Sequence, residues 1–247
     1  MYTIEKYLKG MLVVLIAMAC MATGCKKNAH YLDSGVTNAK FDGNIMQYLE
    51  SKPLYFDTLV QVIKLAGMED VFKNENVTFF APPDPCIGSS VRMLNSYLYV
   101  TGKDTVKTLA DIKPKAWREI LSMYVFKGTS RLKDFRQVDT LALDTYSGQG
   151  YLSFNNKPMN IGVIFNDAVN GTDNDKVTIK YAGYRQLMIS YIPDLSKPKS
   201  LWINAPVSSS DINPTNGIVH ALRFTNHFFG FNAINFITLA TENGIGQ

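Results

Sequence analysis

Residues Val77 to Pro85 read VTFFAPPDP, which opens on a short uncharged run of β-branched and aromatic residues closed by two prolines. Composition of this kind marks a buried strand over Asn76 to Ala81. Pro82-Pro83 ends it, because proline cannot donate to a sheet ladder. Asp84 follows the turn and is placed to cap the next element. On the N-terminal side, Ser51 to Gly67 (SKPLYFDTLVQVIKLAG) sets Phe56, Leu59, Val60 and Ile63 at helical spacing. Ser51 serves as the expected cap, Pro53 lies in the first turn and Gly67 is the stop. On the C-terminal side, Val91, Leu94 and Leu98 predict a second helix. A third is predicted over Pro114 to Phe126 (PKAWREILSMYVF), with Trp117, Ile120, Leu121 and Tyr124 on one face and Gly128 beyond its end.

After Phe135 the pattern changes to short β-rich runs separated by Gly, Asn and Asp turns: Thr140 to Tyr146, Tyr151 to Asn155, Asn160 to Phe165, Val177 to Tyr181 and Leu187 to Ile192. Helices dominate the first half and strands the second, which predicts one α+β domain over about residues 41–231. The apolar stretch His227 to Ala240 (HFFGFNAINFITLA) either closes the core or presents a docking patch. Residues 232–247 are read as a C-terminal extension.

The N-terminus reads as an address. Lys6 and Lys9 precede the apolar run Met11 to Ala22, which ends in Thr23-Gly24 before Cys25. At about 12 to 14 residues the run falls short of the ~20 that a membrane-spanning helix needs. Ala22-Thr23-Gly24-Cys25 resembles a bacterial lipobox, although Ala22 stands where leucine is usual, so cleavage and release without lipidation is the alternative. The resemblance implies a signal peptide over residues 1–24, removed in the mature protein, and lipidation at Cys25. A polar tether over residues 25–40 follows.

The chain has 247 residues and a net charge of +4 with no basic stripe, which argues against nucleic acid as a partner. Three histidines leave no material for a zinc cluster, and no glycine-rich phosphate loop occurs. With Cys20 and Cys25 in or beside the leader, Cys86 stands alone in the body of the protein and reads as a small buried apolar residue. Ser208 to Ser210 with Asp211 and His220 offer the raw material of a hydrolase triad, but no nucleophile elbow surrounds them and the run reads as a loop before a strand. Asp173-Asn174-Asp175 lacks the later glycine and glutamate of a dedicated calcium loop and reads as a turn.

Three segments in order resemble the fasciclin family. In VTFFAPPDP, the residues Thr78, Phe79, Phe80, Ala81, Pro82 and Asp84 match the family's first signature, while Pro83 replaces its usual threonine. In Ile120 to Phe135, Tyr124, Gly128, Asp134 and Phe135 match the central stretch. Val125 stands where the family commonly has the histidine of a Tyr-His pair implicated in adhesion, so that contact does not carry over. In Ser210 to Phe224, Asn216, Gly217, Ile218, Val219 and His220 match the closing signature. The resemblance implies a β-sandwich wedge with helices packed along it, and it makes the matched residues mainly structural. The stretch of about residues 166–209 is long for the family and reads as an insertion.

The resemblance further implies a non-catalytic protein that mediates adhesion or protein–protein interaction with an extracellular or envelope protein, and the lipobox-like segment implies a lipid anchor in the bacterial cell envelope, expected at the outer membrane. It implies neither cofactor nor metal. The alternative is a glycan-binding accessory lipoprotein of an outer-membrane polysaccharide uptake system. Tyr181, Tyr184, Tyr191 and Trp202, aromatic rings amid polar residues, are the candidate ligand-binding set, suited to a sugar face or a protein hot spot, with burial in the core as the alternative for each ring.

Overall fold

The computed structural model describes residues 39–245 except Asp173 and Asn174. The leader, Cys25, the tether as far as residue 38 and the first two residues of the Asp173-Asn174-Asp175 turn lie outside the described residues.

Helix α1 (Ile45–Glu50) opens with a reciprocal cap, in which Asn44 Oδ1 accepts from the Gln47 amide and Gln47 Oε1 accepts from the Asn44 amide, both at 2.9 Å. Ser51 ends this helix and does not start the next one; its hydroxyl donates back to the Tyr48 carbonyl. Helix α2 (Pro53–Leu65) begins at Lys52 without a side-chain cap, because Pro53 presets φ and has no N–H to satisfy. Gly67, at φ +61°, reverses the chain after α2 as predicted. Helix α3 (Glu69–Asn74) leads into β1 (Val77–Ala81), buried along its whole length. Helix α4 (Asp84–Val100) follows the proline turn.

The third predicted helix is shorter than its periodicity suggests. Helix α5 (Pro114–Ser122) stops at Ser122, and Val125–Lys127 forms strand β2. The strand-forming pair Val125 and Phe126 takes up antiparallel register against Phe79 and Thr78 of β1, so the sheet ladder overrides the helical pattern. Gly128, at φ +82°, then turns the chain away.

Strands β3 (Gln149–Leu152), β4 (Pro158–Phe165), β5 (Ala168–Asn170), β6 (Val177–Ile179), β7 (Arg185–Tyr191), β8 (Ile203–Ile212) and β9 (Gly217–Leu222) follow, then helix α6 (Ala233–Asn243). The strand predicted over Thr140 to Tyr146 is absent. Asp139 takes the Leu141 amide on its carboxylate and the Ala142 amide on its carbonyl, which winds the segment into turns and leaves Leu141 exposed. Ser208 to Ser210, predicted as a loop, belong to β8.

Seven strands form one sheet in the order β2-β1-β9-β8-β7-β4-β3, parallel only between β1 and β9. Register shifts at Val207/Ser209 and Ser209/Ile212 bend β8 against β9. The two ends of the sheet meet: Phe126 of β2 and Tyr151 of β3 lie 6.4 Å apart edge to face, and the Phe154 amide donates to the Val125 carbonyl at 2.8 Å. The sheet is thus folded over its own core with helices along it, the predicted α+β wedge. Within residues 166–209, β7 and β8 are integral to this sheet, while β5 and β6 form a separate exposed hairpin. The apolar tail closes the core. Phe229, Phe231 and Phe236 are fully buried, and Trp117 packs on Phe229 and Phe236 at 6.1 and 5.8 Å.

Candidate functional site

The residues of the three signatures make the frame on which the surface loops stand. Thr78, buried in β1, donates its hydroxyl to the Gly128 carbonyl and accepts the Ser130 amide, both at 2.8 Å. His220, facing Phe80 at 5.0 Å, contacts the Ser130 carbonyl with Nε2 at 3.0 Å and accepts the Asp211 amide on Nδ1 at 3.2 Å. This pairing fixes the neutral imidazole with its proton on Nε2. Burial, outweighing the Ser130 carbonyl and the Asp211 charge, pushes its pKa down to about 4. At neutral pH the 3.9 Å approach of Asp211 to the ring is therefore no ion pair. Asp211, at φ +62°, instead accepts the Leu132 amide at 2.7 Å. Residues 128–132 are held from three directions.

Asn216 ties the other side together. Its Oδ1 accepts the Ile45 amide at 2.8 Å, and its Nδ2 donates to the Phe72 and Glu75 carbonyls at 3.1 and 3.0 Å. Gly217 starts β9 so close to β1 that a Cβ would sit 2.1 Å from the Val77 carbonyl oxygen. Ala81 pairs with Ala221 at the far end of the same parallel ladder, and Pro82 leads out of it. Asp84 does not cap α4, since no side-chain cap bond forms there. Its carboxylate reaches α2, accepting the Thr58 and Leu59 amides at 3.0 Å each.

Tyr124 anchors the tail. Its ring is stacked by Phe231 at 4.8 Å on an 8° plane angle and by Phe229 at 5.5 Å and 5°. Its oxygen accepts the Gly230 and Phe231 amides at 2.8 and 3.2 Å and meets His227 Nε2 at 3.2 Å. With both lone pairs taken, the hydroxyl donates to Nε2, a nearer acceptor than the Phe228 carbonyl at 3.5 Å, which places the His227 proton on Nδ1, a buried atom with no hydrogen-bond partner among the described residues. Burial lowers the pKa of His227 to about 4. Nothing in the sequence around His227 marks it for this role, because its partner lies 103 positions away.

The imagined serine triad does not assemble. Ser208 donates to the Ala221 and Leu222 carbonyls, and both nitrogens of His220 are already committed. Cys86 is buried and its pKa is pushed up to about 12, first by burial and then by the nearby Asp84 charge, so the thiol is inert. Among the described residues no three His, Cys, Asp or Glu side chains gather into a metal-binding group.

Two concave surfaces border the sheet. One, of about 330 Å³, lies where the pinned segment 128–134 faces the β8–β9 turn, and Asn76, Thr129, Arg131, Lys133, Asn213 and Thr215 line it. The other, of about 250 Å³, runs beside Tyr184, whose ring is 66% exposed, with Arg223 and Ser210 on its walls. The four candidate rings do not share a platform. Tyr181 packs edge-on against Tyr146 at 5.3 Å and donates to Asp139 at 2.9 Å, while Tyr191 packs on Phe231 at 5.9 Å. Trp202 is half-buried and donates to the Pro198 carbonyl at 2.8 Å. Tyr184 alone of the four is exposed.

The fasciclin-domain family model matches residues 54–223, more than half of the chain, and the chain belongs to the fasciclin domain family. Fasciclin domains are adhesion-type domains associated with protein interaction. Among solved structures, the chain is similar to a FAS1 domain pair from the insect cell adhesion molecule Fasciclin I, with 16% identity and a TM-score of 0.44, over 73% of this chain and 49% of that one. The chain thus matches about half the length of that structure. No curated protein matches it.

Proposed function

We propose that this chain is a non-catalytic cell-envelope lipoprotein, held at the bacterial outer membrane through Cys25, that mediates adhesion or protein–protein interaction through its fasciclin domain. One observation carries the reading. His220, the base that a serine triad here would need, is buried with both ring nitrogens spent on internal hydrogen bonds, which favours recognition at the surface as the domain's chemistry. The lipobox-like Ala22-Thr23-Gly24-Cys25 supports the anchor. Metabolic labelling with a palmitate analogue tests it: the wild-type chain takes up label and fractionates with outer membranes, and Cys25→Ser loses both. Cells displaying the wild-type chain adhere to one another or to matrix-coated surfaces, and Cys25→Ser cells do not. Absence of label overturns the anchor; label without adhesion or in-cell crosslinks to a protein overturns the interaction role.

The second reading, a glycan-binding accessory lipoprotein of a polysaccharide uptake system, is favoured by the exposed Tyr184 ring beside Arg223 and Ser210. Binding to immobilised polysaccharides that Tyr184→Ala abolishes supports it, with Trp202→Ala as the second variant. Binding that neither variant weakens sinks it.

A further inference from the structure

We propose that the cleft between segment 128–134 and the β8–β9 turn is a binding site for an acidic sugar, a glycan unit bearing a carboxylate, which Arg131 and Lys133 recognise. This goes beyond the adhesion reading and does not rest on it.

The cleft is built in advance of any ligand. One wall is held by Thr78, His220 and Asp211 through the Gly128, Ser130 and Leu132 backbone, and the other by Asn216 through Ile45, Phe72 and Glu75. A site fixed in this way loses little freedom when it binds. Among the described residues, the side chains turned to it have no hydrogen-bond or ion-pair partner, in contrast to the frame behind them. These are the guanidinium of Arg131, the ammonium of Lys133, the amides of Asn76 and Asn213, and the hydroxyls of Thr129 and Thr215. Charge selects the ligand. Two cations face the cleft against one carboxylate, that of Asp134, which already accepts the Arg131 amide at 2.8 Å.

The remaining groups select its type. Amides and hydroxyls both donate and accept, which matches the hydroxyls around a sugar ring, and about 330 Å³ accommodates one such ring with its neighbours continuing into solvent. Peptide recognition depends on apolar or aromatic anchors seated in pockets. Here the apolar lining is only Pro214 and Ile218, both buried beneath the polar rim.

The test is titration calorimetry on the full-length chain in detergent with oligogalacturonate, with neutral galactan oligomers and polyglutamate as comparators. Oligogalacturonate binds saturably and more weakly as salt rises, and Arg131→Gln and Lys133→Gln each weaken it about tenfold or more, the worth of one charge-assisted hydrogen bond. Neutral oligomers and polyglutamate show no saturable binding, and Tyr184→Ala binds oligogalacturonate like the parent. Unchanged thermal unfolding of the two glutamine variants confirms that the frame is intact. The proposal is overturned if oligogalacturonate fails to bind, if polyglutamate binds equally well, or if the loss follows Tyr184 and spares Arg131 and Lys133. The last outcome would move glycan binding to the Tyr184 groove.

Discussion

At the scale of single residues, the fold is governed by buried polar groups whose partners lie far along the chain. His220 and His227 both have folded-state pKa values of about 4 against an ordinary value of 6.5. Folding favours the neutral ring, so the unfolded chain binds more protons throughout this interval. Stability is therefore complete above about pH 6.5 and falls as pH drops toward 4, by on the order of 3 kcal/mol for each histidine. Urea unfolding between pH 7.5 and 4.5 should show this decline, and His227→Phe should remove about half of the slope while lowering stability at pH 7.5. Tyr124→Phe deletes the acceptor of two backbone amides and the donor to His227 without changing the ring stack. It should cost about 1–3 kcal/mol in urea unfolding, the price of orphaned buried groups. At Gly217 the fault would be steric. A Cβ meets a backbone oxygen that cannot yield without parting β1 from β9, so Gly217→Ala should destabilise by more than about 3 kcal/mol or fail to accumulate as soluble protein.

At the scale of elements, capping and termination are shared between segments. Asp84 begins α4 yet serves α2, which couples the two helices through one carboxylate. Helix α6 is the clearest case. Its Phe236 and Ala240 enter the same core as Trp117 and Phe229, and Asn232 caps it by accepting the Asn235 amide at 2.7 Å. Phe236→Ala should cost about 3–5 kcal/mol by opening a cavity among aromatic rings. Truncation after Asn232 should leave a chain that binds a hydrophobic dye and loses its near-ultraviolet circular dichroism.

At the scale of the whole molecule, the sheet folded over on itself carries the Arg131 cleft and the Tyr184 groove, and the β5–β6 hairpin stands apart from it. Val169, Val177 and Ile179 are all about half exposed or more, so the hairpin buries little. Among its ties are the Tyr181 hydroxyl on Asp139, the Tyr181 ring on Tyr146 and the Asp167 carboxylate on the Tyr181 amide. Replacing residues 168–179 by a short glycine-containing turn should shift the thermal midpoint by no more than a few degrees, within the range of about 1 kcal/mol. A large loss would show that the hairpin supports the strands beside it.

Local pattern in the sequence was enough for the elements whose partners are near in the chain or whose burial is complete: β1 with its proline exit, α2 with its Gly67 stop, β4, β7 and the Asn216-Gly217 start of β9. It identified the α+β class and the signature residues, and it left the apolar tail open between two roles. Tertiary structure decided the rest. It drew Val125 and Phe126 out of a helical pattern into β2, turned Thr140 to Tyr146 away from a strand, moved Ser208 to Ser210 into β8 and sent the Asp84 carboxylate to α2. The cleft lined by Arg131, Lys133 and Asn213 was invisible in sequence, because its parts lie about 80 residues apart and carry no local periodicity. Periodicity reports which face of an element is apolar. It does not report which distant backbone group a buried Thr78, His220 or Asn216 will satisfy, and that pairing sets where the surface groups converge.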